Sequence, residues 1–239
     1  MANQTSRRGA ETPGARRFVA DGVILDLDGT LLDTAADLAA AVNAMLAELG
    51  RAPITVEQVA SFVGKGAEVL VHRALTGRAD GTAPPELFEA ARGSFYAHYA
   101  RENGLHASVY PGVLEGLRAM RAQGLRLAVV TNKPSDFTAP LLERCGLLAF
   151  FELLVSGDTV PRKKPDPMPM LHVCERFGLP PKRMLAIGDS MNDALAARAA
   201  GIPVVAVPYG YNEGVDVRSL DVDAIVDTLI VAAQLVDRV

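Results

Sequence analysis

Asp26 and Asp28 stand two residues apart, just after the apolar run Phe18 to Leu25, in a chain of 239 residues. That run reads as a buried strand, and in a strand residues i and i+2 point to the same side. The two carboxylates therefore face one place, with Leu27 turned away. Holding them together is costly unless a cation or a proton separates them. That cost is the reason to expect chemistry here. The plainer reading is a polar strand-to-helix turn: Gly29 lets the chain bend, and Asp33 and Thr34 are good N-caps for the helical segment that follows.

Three more polar segments follow apolar runs. Val129-Val130-Thr131-Asn132-Lys133-Pro134 ends a strand in a hydroxyl and an amide. Both groups, and the amides of the turn, can bind a phosphoryl oxygen; Thr-Asn is also a common cap sequence. Lys163-Lys164-Pro165-Asp166-Pro167 offers a lysine fixed by prolines, or a solvated loop. Ala186-Ile187-Gly188-Asp189-Ser190-Met191-Asn192-Asp193 reads as strand, glycine turn and helix. Its two aspartates can approach one cation, or can simply cap the helix.

The elements that must position these groups alternate. Leu125 to Thr131, Leu153 to Ser156, Met184 to Ile187, Val204 to Val207 and Ala224 to Val226 read as short strands. Val113 to Gln123 and Met191 to Ala200 read as helices between them. Such alternation predicts an α/β fold, a Rossmann-like doubly wound parallel sheet with helices on both faces. Ligands in that fold sit beyond the carboxyl ends of the strands, where Asp26, Thr131, Asp158 and Asp189 all fall. The alternation breaks between residues 37 and 108. Leu38, Val42, Met45, Leu46 and Leu49 keep helical spacing, Thr55 to Gln58 has the form of a capping box, and Pro84-Pro85-Glu86 opens a helix carrying Phe88, Phe95, Tyr96 and Tyr99. The expected division is a polar, disordered tail over 1–17, a catalytic core over 18–36 and 109–239, and an inserted helical cap over 37–108.

Asp-x-Asp-Gly-Thr after an apolar strand, followed in order by the Thr131, Lys164 and Asp189 segments, resembles the haloacid dehalogenase-like phosphohydrolases. The resemblance runs from Phe18 to Val239. It implies that Asp26 attacks phosphorus and that Asp28 serves as the acid and then the base. It implies that Thr131, Asn132 and Lys164 stabilise the transferring group, the lysine before Pro-x-Pro being the one that carries the role. It implies Mg²⁺ held by Asp26, the Asp28 carbonyl and Asp189, with Asp193 behind them, orienting ligands or pairing Lys164. Asp28 argues against carbon–halogen chemistry, since the dehalogenases lack that residue. Phe62-Val63-Gly64-Lys65-Gly66-Ala67-Glu68, Val130 to Pro134 and Tyr209-Gly210-Tyr211-Asn212 are similar to the phosphoglycolate phosphatase family. That similarity implies hydrolysis of 2-phosphoglycolate, with Gly64, Lys65 and Gly66 meeting the substrate carboxylate. A sugar-phosphate phosphatase, a phosphomutase of the β-phosphoglucomutase type and a non-catalytic binding protein are the alternatives.

Composition narrows the partners. Net charge is −4, so nothing favours nucleic acid or an anionic membrane; aromatics at 5%, with no Trp, argue against base stacking. Two cysteines, Cys145 and Cys174, make no disulfide framework and fit a reducing cytoplasm. No apolar stretch reaches the ~18 to 20 residues of a membrane span. Arg7-Arg8 is followed by no apolar segment and does not read as an export signal. The expected partner is a small phosphate monoester, and the expected state is a monomer or homodimer.

Overall fold

The structure, a computed structural model, describes residues 16–238. The first predicted strand is in fact two: β1 (Phe18–Val19) and β2 (Gly22–Leu25). Asp21 breaks the run. Its carboxylate takes the Arg183 guanidinium at 2.6 Å, its N–H donates to the Arg183 carbonyl and its own carbonyl accepts from Arg126 N–H. Of the expected tail, Arg16 and Arg17 are described, and the rest lies outside the described residues; Arg16 pairs with Asp223 at 2.6 Å and Arg17 with Asp237.

After β2 the chain forms a short strand, β3 (Leu32–Asp33), and then four helices: α1 (Ala35–Glu48), α2 (Val56–Ala60), α3 (Ala67–Thr76) and α4 (Pro85–Glu102). It returns through β4 (Ser108–Val109), antiparallel to β3, so the two connections to the helical insert run side by side. The remainder alternates: α5 (Val113–Ala122), β5 (Arg126–Val130), α6 (Ser135–Arg144), β6 (Leu153–Val155), α7 (Met168–Phe177), β7 (Met184–Gly188), α8 (Met191–Ala200), β8 (Val204–Ala206), β9 (Ala224–Ile225), α9 (Leu229–Gln234) and β10 (Val236–Asp237). Among the described residues no helix is long and apolar enough to cross a membrane.

The main sheet is parallel, ordered β6-β5-β2-β7-β8-β9. The period-2 rule shows directly in its core. Val23 and Leu25 of β2, Leu127 and Val129 of β5 and Leu185 and Ile187 of β7 fall in one buried cluster. Ile24, Ala128, Val130, Met184 and Ala186, the alternate residues, fall in the other, with Val173 and Phe177 of α7 and Ala196 and Ala197 of α8. Strands covered on both faces read as unbroken apolar runs. Each fully buried Val, Leu or Ile contributes roughly 1.5–3 kcal/mol. Strand order reverses at β2, which has β5 on one side and β7 on the other, and a ligand crevice is expected beyond their carboxyl ends.

The insert has its own core. Leu38, Val42, Met45 and Leu46 of α1 pack with Leu70 and Val71 of α3 and with Phe95 and Tyr99 of α4; Phe137 of α6 completes the cluster from below. Its ring lies 4.7 Å from that of Tyr99. Thr55 caps α2, its hydroxyl accepting from Gln58 N–H at 3.2 Å. Buried Asp37 ties the two connections together: its carboxylate accepts from Gly104 N–H at 2.7 Å and His106 N–H at 2.6 Å.

Candidate active site

Asp26 emerges from the end of β2, its Oδ1 accepting from Leu27 N–H at 2.7 Å. The chain then curls tightly, with Leu31 and Leu32 N–H both donating to the Leu27 carbonyl. Gly29 is at φ +87°, and a Cβ there would sit 2.4 Å from Asp189 Oδ2. A glycine is required for the curl and for the close approach of β2 and β7. Asp189, at the end of β7, accepts from Thr30 Oγ1 at 3.0 Å and Tyr211 N–H at 2.8 Å.

Lys164 is the cation of this cluster, only 4% exposed. It uses all three ammonium protons, on Asp26 Oδ1 at 2.8 Å, Asp193 Oδ1 at 2.6 Å and the Val130 carbonyl at 2.8 Å. Lys163 beside it is exposed. Asp193, in the first turn of α8, spends its other oxygen on the cap, accepting from Ser190 N–H at 3.1 Å and Ser190 Oγ at 2.7 Å. One oxygen of Asp193 thus caps the helix and the other pairs with Lys164.

One lysine does not balance the charge. Carboxyl oxygens of Asp26, Asp189 and Asp193 lie within 4.8 Å of one another. Burial, then Asp193, push the Asp26 carboxyl well above its ordinary range, and Lys164 offsets this only partly. Burial, then Asp193, push Asp189 up to about 7, against hydrogen bonds from Tyr211 and Thr30. Buried carboxylates short of positive charge, with oxygen as the only donor type, fit a hard divalent cation. The Asp28 side chain is not part of this cluster. It turns the other way, and its Oδ1 accepts from Lys133 Nζ at 2.8 Å and Thr34 Oγ1 at 2.6 Å.

Asp26, Asp28, Thr131, Asn132 and Lys133 line one face of a small cavity; Val63, Gly64, Gly66, Ala67 and Leu70 of the insert line the other, with Tyr99 and Leu38. The insert is closed onto the core. The Gly64 carbonyl accepts from Asn132 Nδ2 at 2.9 Å and Asn192 Nδ2 at 3.3 Å. Glu213, in the loop after β8, takes buried Arg73 at 3.0 Å and Lys65 at 3.6 Å. Gly64 sits at φ +129° and Gly66 at φ +90°, where Cβ atoms would meet Glu213 Oε1 at 3.1 Å and the Asn132 carbonyl at 3.0 Å.

Several expectations change. Lys65 does not line the cavity; its side chain is about half exposed, drawn outward by Glu213. The cavity's cation is Lys133. Asn132 spends its amide N–H groups on the Gly64 and Lys164 carbonyls, bridging core and insert. Thr34 begins α1, but its hydroxyl goes to Asp28 rather than capping the helix. Asp158 is not in the site: it accepts from Ser135 N–H and Oγ and caps α6. Lys133, Thr30, Thr34 and Tyr211 were missed as site residues. Tyr211 joins the two halves, its N–H donating to Asp189 and its hydroxyl to Asp33 Oδ1 at 2.8 Å while accepting from Thr34 N–H at 2.6 Å.

Comparison with known proteins agrees with this geometry. The sequence profile of the haloacid dehalogenase-like hydrolases matches residues 20–201. The chain is 55% identical over 216 residues to a phosphoglycolate phosphatase of Nitrosospira multiformis, covering 90% of this chain and 95% of that one. It is 51% identical, over the same shares, to a phosphoglycolate phosphatase of Thiobacillus denitrificans. A solved structure described as a predicted phosphoglycolate phosphatase from Haemophilus somnus superposes with a TM-score of 0.85 at 34% identity, covering 90% of this chain and 97% of that one. With its strand-end aspartates, buried lysine and closed helical insert, the chain belongs to the haloacid dehalogenase-like hydrolases.

Proposed function

We propose that this protein is a Mg²⁺-dependent phosphatase that hydrolyses 2-phosphoglycolate to glycolate and phosphate through an aspartyl-phosphate. The observation that carries the reading is the pairing of Asp26 with Asp28 across one cavity. Asp26 is oriented by Lys164 and Leu27 N–H, and Asp28 is held apart from the carboxylate cluster by Lys133 and Thr34. The names of the relatives at 55% and 51% identity support the substrate. The small size of the cavity supports a two-carbon acid over a sugar ring with a second phosphate.

In this reading a carboxylate oxygen of Asp26 attacks phosphorus, and the bond to the glycolate oxygen breaks. Asp28 gives that oxygen a proton, then takes one from the water that releases phosphate and restores Asp26. The Thr131 hydroxyl and the Lys164 ammonium meet charge on the transferring group. Asp193 holds Lys164 in place. Asn132 keeps the Gly64–Gly66 loop against the core, so the reacting atoms are shielded from bulk water. Asp26, the Asp28 carbonyl and Asp189 would hold Mg²⁺, which neutralises charge on the phosphoryl oxygens. The free thiols Cys145 and Cys174 support a cytoplasmic setting.

The test is phosphate release from a panel of small monoesters with Mg²⁺. Preference for 2-phosphoglycolate over hexose and amino-sugar 6-phosphates is expected. Preference for a hexose phosphate, isomerised sugar phosphate without free phosphate, or no turnover of any ester would each overturn the reading in favour of a named alternative.

A further inference from the structure

Two buried lysines serve this site, and they are used differently. Lys164 has no proton left to give. Lys133 is 5% exposed and lines the cavity beside the insert. Its Nζ has one carboxylate oxygen, Asp28 Oδ1 at 2.8 Å, and lies 4.9 Å from the centre of the Tyr99 ring. A buried ammonium with a single charged partner and an aromatic face can accept a second anion or exchange the first. Lys65, the basic side chain of the insert loop that closes the cavity, is turned outward to Glu213.

We infer that Lys133 is the residue that reads the substrate's carboxylate, and that it does so by exchange. The incoming carboxylate takes the ammonium from Asp28, and the Asp28 carboxyl, left with the Thr34 hydroxyl alone, then turns to face the bridging oxygen of the ester. Recognition and positioning of the acid/base residue are thereby one event. An ester without a carboxylate leaves Lys133 on Asp28 and is handled slowly even when it fits. Tyr99, fully buried with its ring packed on Phe95 and Phe137, fixes the floor under the ammonium, so the lysine swings little as its partner changes. No bond to the lysine forms or breaks. The inference rests on the phosphoglycolate reading for the source of the carboxylate.

The geometry predicts a response that a purely structural ion pair would not give. Ethyl phosphate has the two-carbon frame of the substrate without its carboxylate, and formate supplies a carboxylate as a separate molecule. With the wild-type enzyme and Mg²⁺, formate is expected to raise ethyl phosphate turnover by several-fold, saturably, while inhibiting 2-phosphoglycolate turnover competitively. In Lys133→Met the formate response is expected to vanish. Turnover of 2-phosphoglycolate is expected to fall about 100-fold in kcat/KM, the scale for removing one partner of a buried charge contact. Ethyl phosphate turnover is expected to rise, because Asp28 then keeps only the Thr34 hydroxyl. Equal losses on both esters, or no formate activation in the wild type, would overturn the inference. The formate measurement on the wild type needs no variant, so it stands even if Lys133→Met folds poorly. Failure of the substrate reading looks different: 2-phosphoglycolate is then no better than ethyl phosphate in the wild type, whatever formate does.

Discussion

Asp189→Asn should make the metal-free protein more stable at neutral pH, and the structure says by how much and why. Asp189 is 2% exposed and is pushed to about 7 by burial and by Asp193. Its ordinary value is 3.8. A carboxyl raised in the folded state keeps its proton there at pH values where the unfolded chain has lost it. Its favourable contribution is therefore complete below pH ~4 and is lost as pH rises to ~7. From 3.8 to about 7 corresponds to at most about 4 kcal/mol. Asparagine stays neutral throughout and suits the same partners. Its carbonyl accepts from Tyr211 N–H, and its amide donates to the Thr30 hydroxyl, which can turn to accept. For a chain of this size each kcal/mol moves Tm by roughly 2–4 °C, so Asp189→Asn should melt about 5–15 °C above the wild type at pH 8 in chelator. The difference should shrink toward zero at pH 4.5. Added Mg²⁺ should raise the wild-type Tm and leave the variant's unmoved. Thermal melts across pH with and without chelator make the comparison. A difference that does not depend on pH, or a variant less stable than wild type at pH 8, would refute the reasoning.

Lys164→Met strands two carboxylates, Asp26 and Asp193, beside an apolar side chain; removing one partner of a buried pair costs about 3–5 kcal/mol, so Tm should drop clearly and activity should fall at least about 100-fold, as melts and steady-state kinetics would show. Gly29→Ala places a Cβ against Asp189 at positive φ, and should weaken Mg²⁺ activation with less effect on melting, read from a metal titration of activity. Lys65→Ala should leave the ratio of 2-phosphoglycolate to ethyl phosphate turnover within about twofold of wild type, because the side chain points away from the cavity; a large selective loss would return it to the substrate.

Much of the core was legible because its strands are buried on both faces and so read as apolar runs, each ending in a polar group. Met191 to Ala200 was legible to the residue, since a glycine turn and a capping serine mark its start and Gly201 its end. Asp21 was not legible as a break, because one acid in an apolar run gives no hint of Arg183, 162 residues away. Asp158 misled for the opposite reason: a strand-end aspartate looks the same whether it faces the crevice or caps the next helix. Lys133 stood in a motif already singled out, but only the fold shows that its side chain crosses 105 positions of sequence to Asp28. Lys65 invited the role that Lys133 has the position for. Its outward turn depends on Glu213, in a loop from the far side of the sheet, and no local pattern carries that.

The most direct test of the account is phosphate release by Asp26→Asn with Mg²⁺ at saturating substrate. The substitution keeps the shape of the side chain and removes its charge and nucleophilicity. The account predicts a loss of at least about 1,000-fold in kcat with the fold intact by circular dichroism. Release at a rate near the wild type from the folded variant would contradict it, and would move the attack on phosphorus from Asp26 to water.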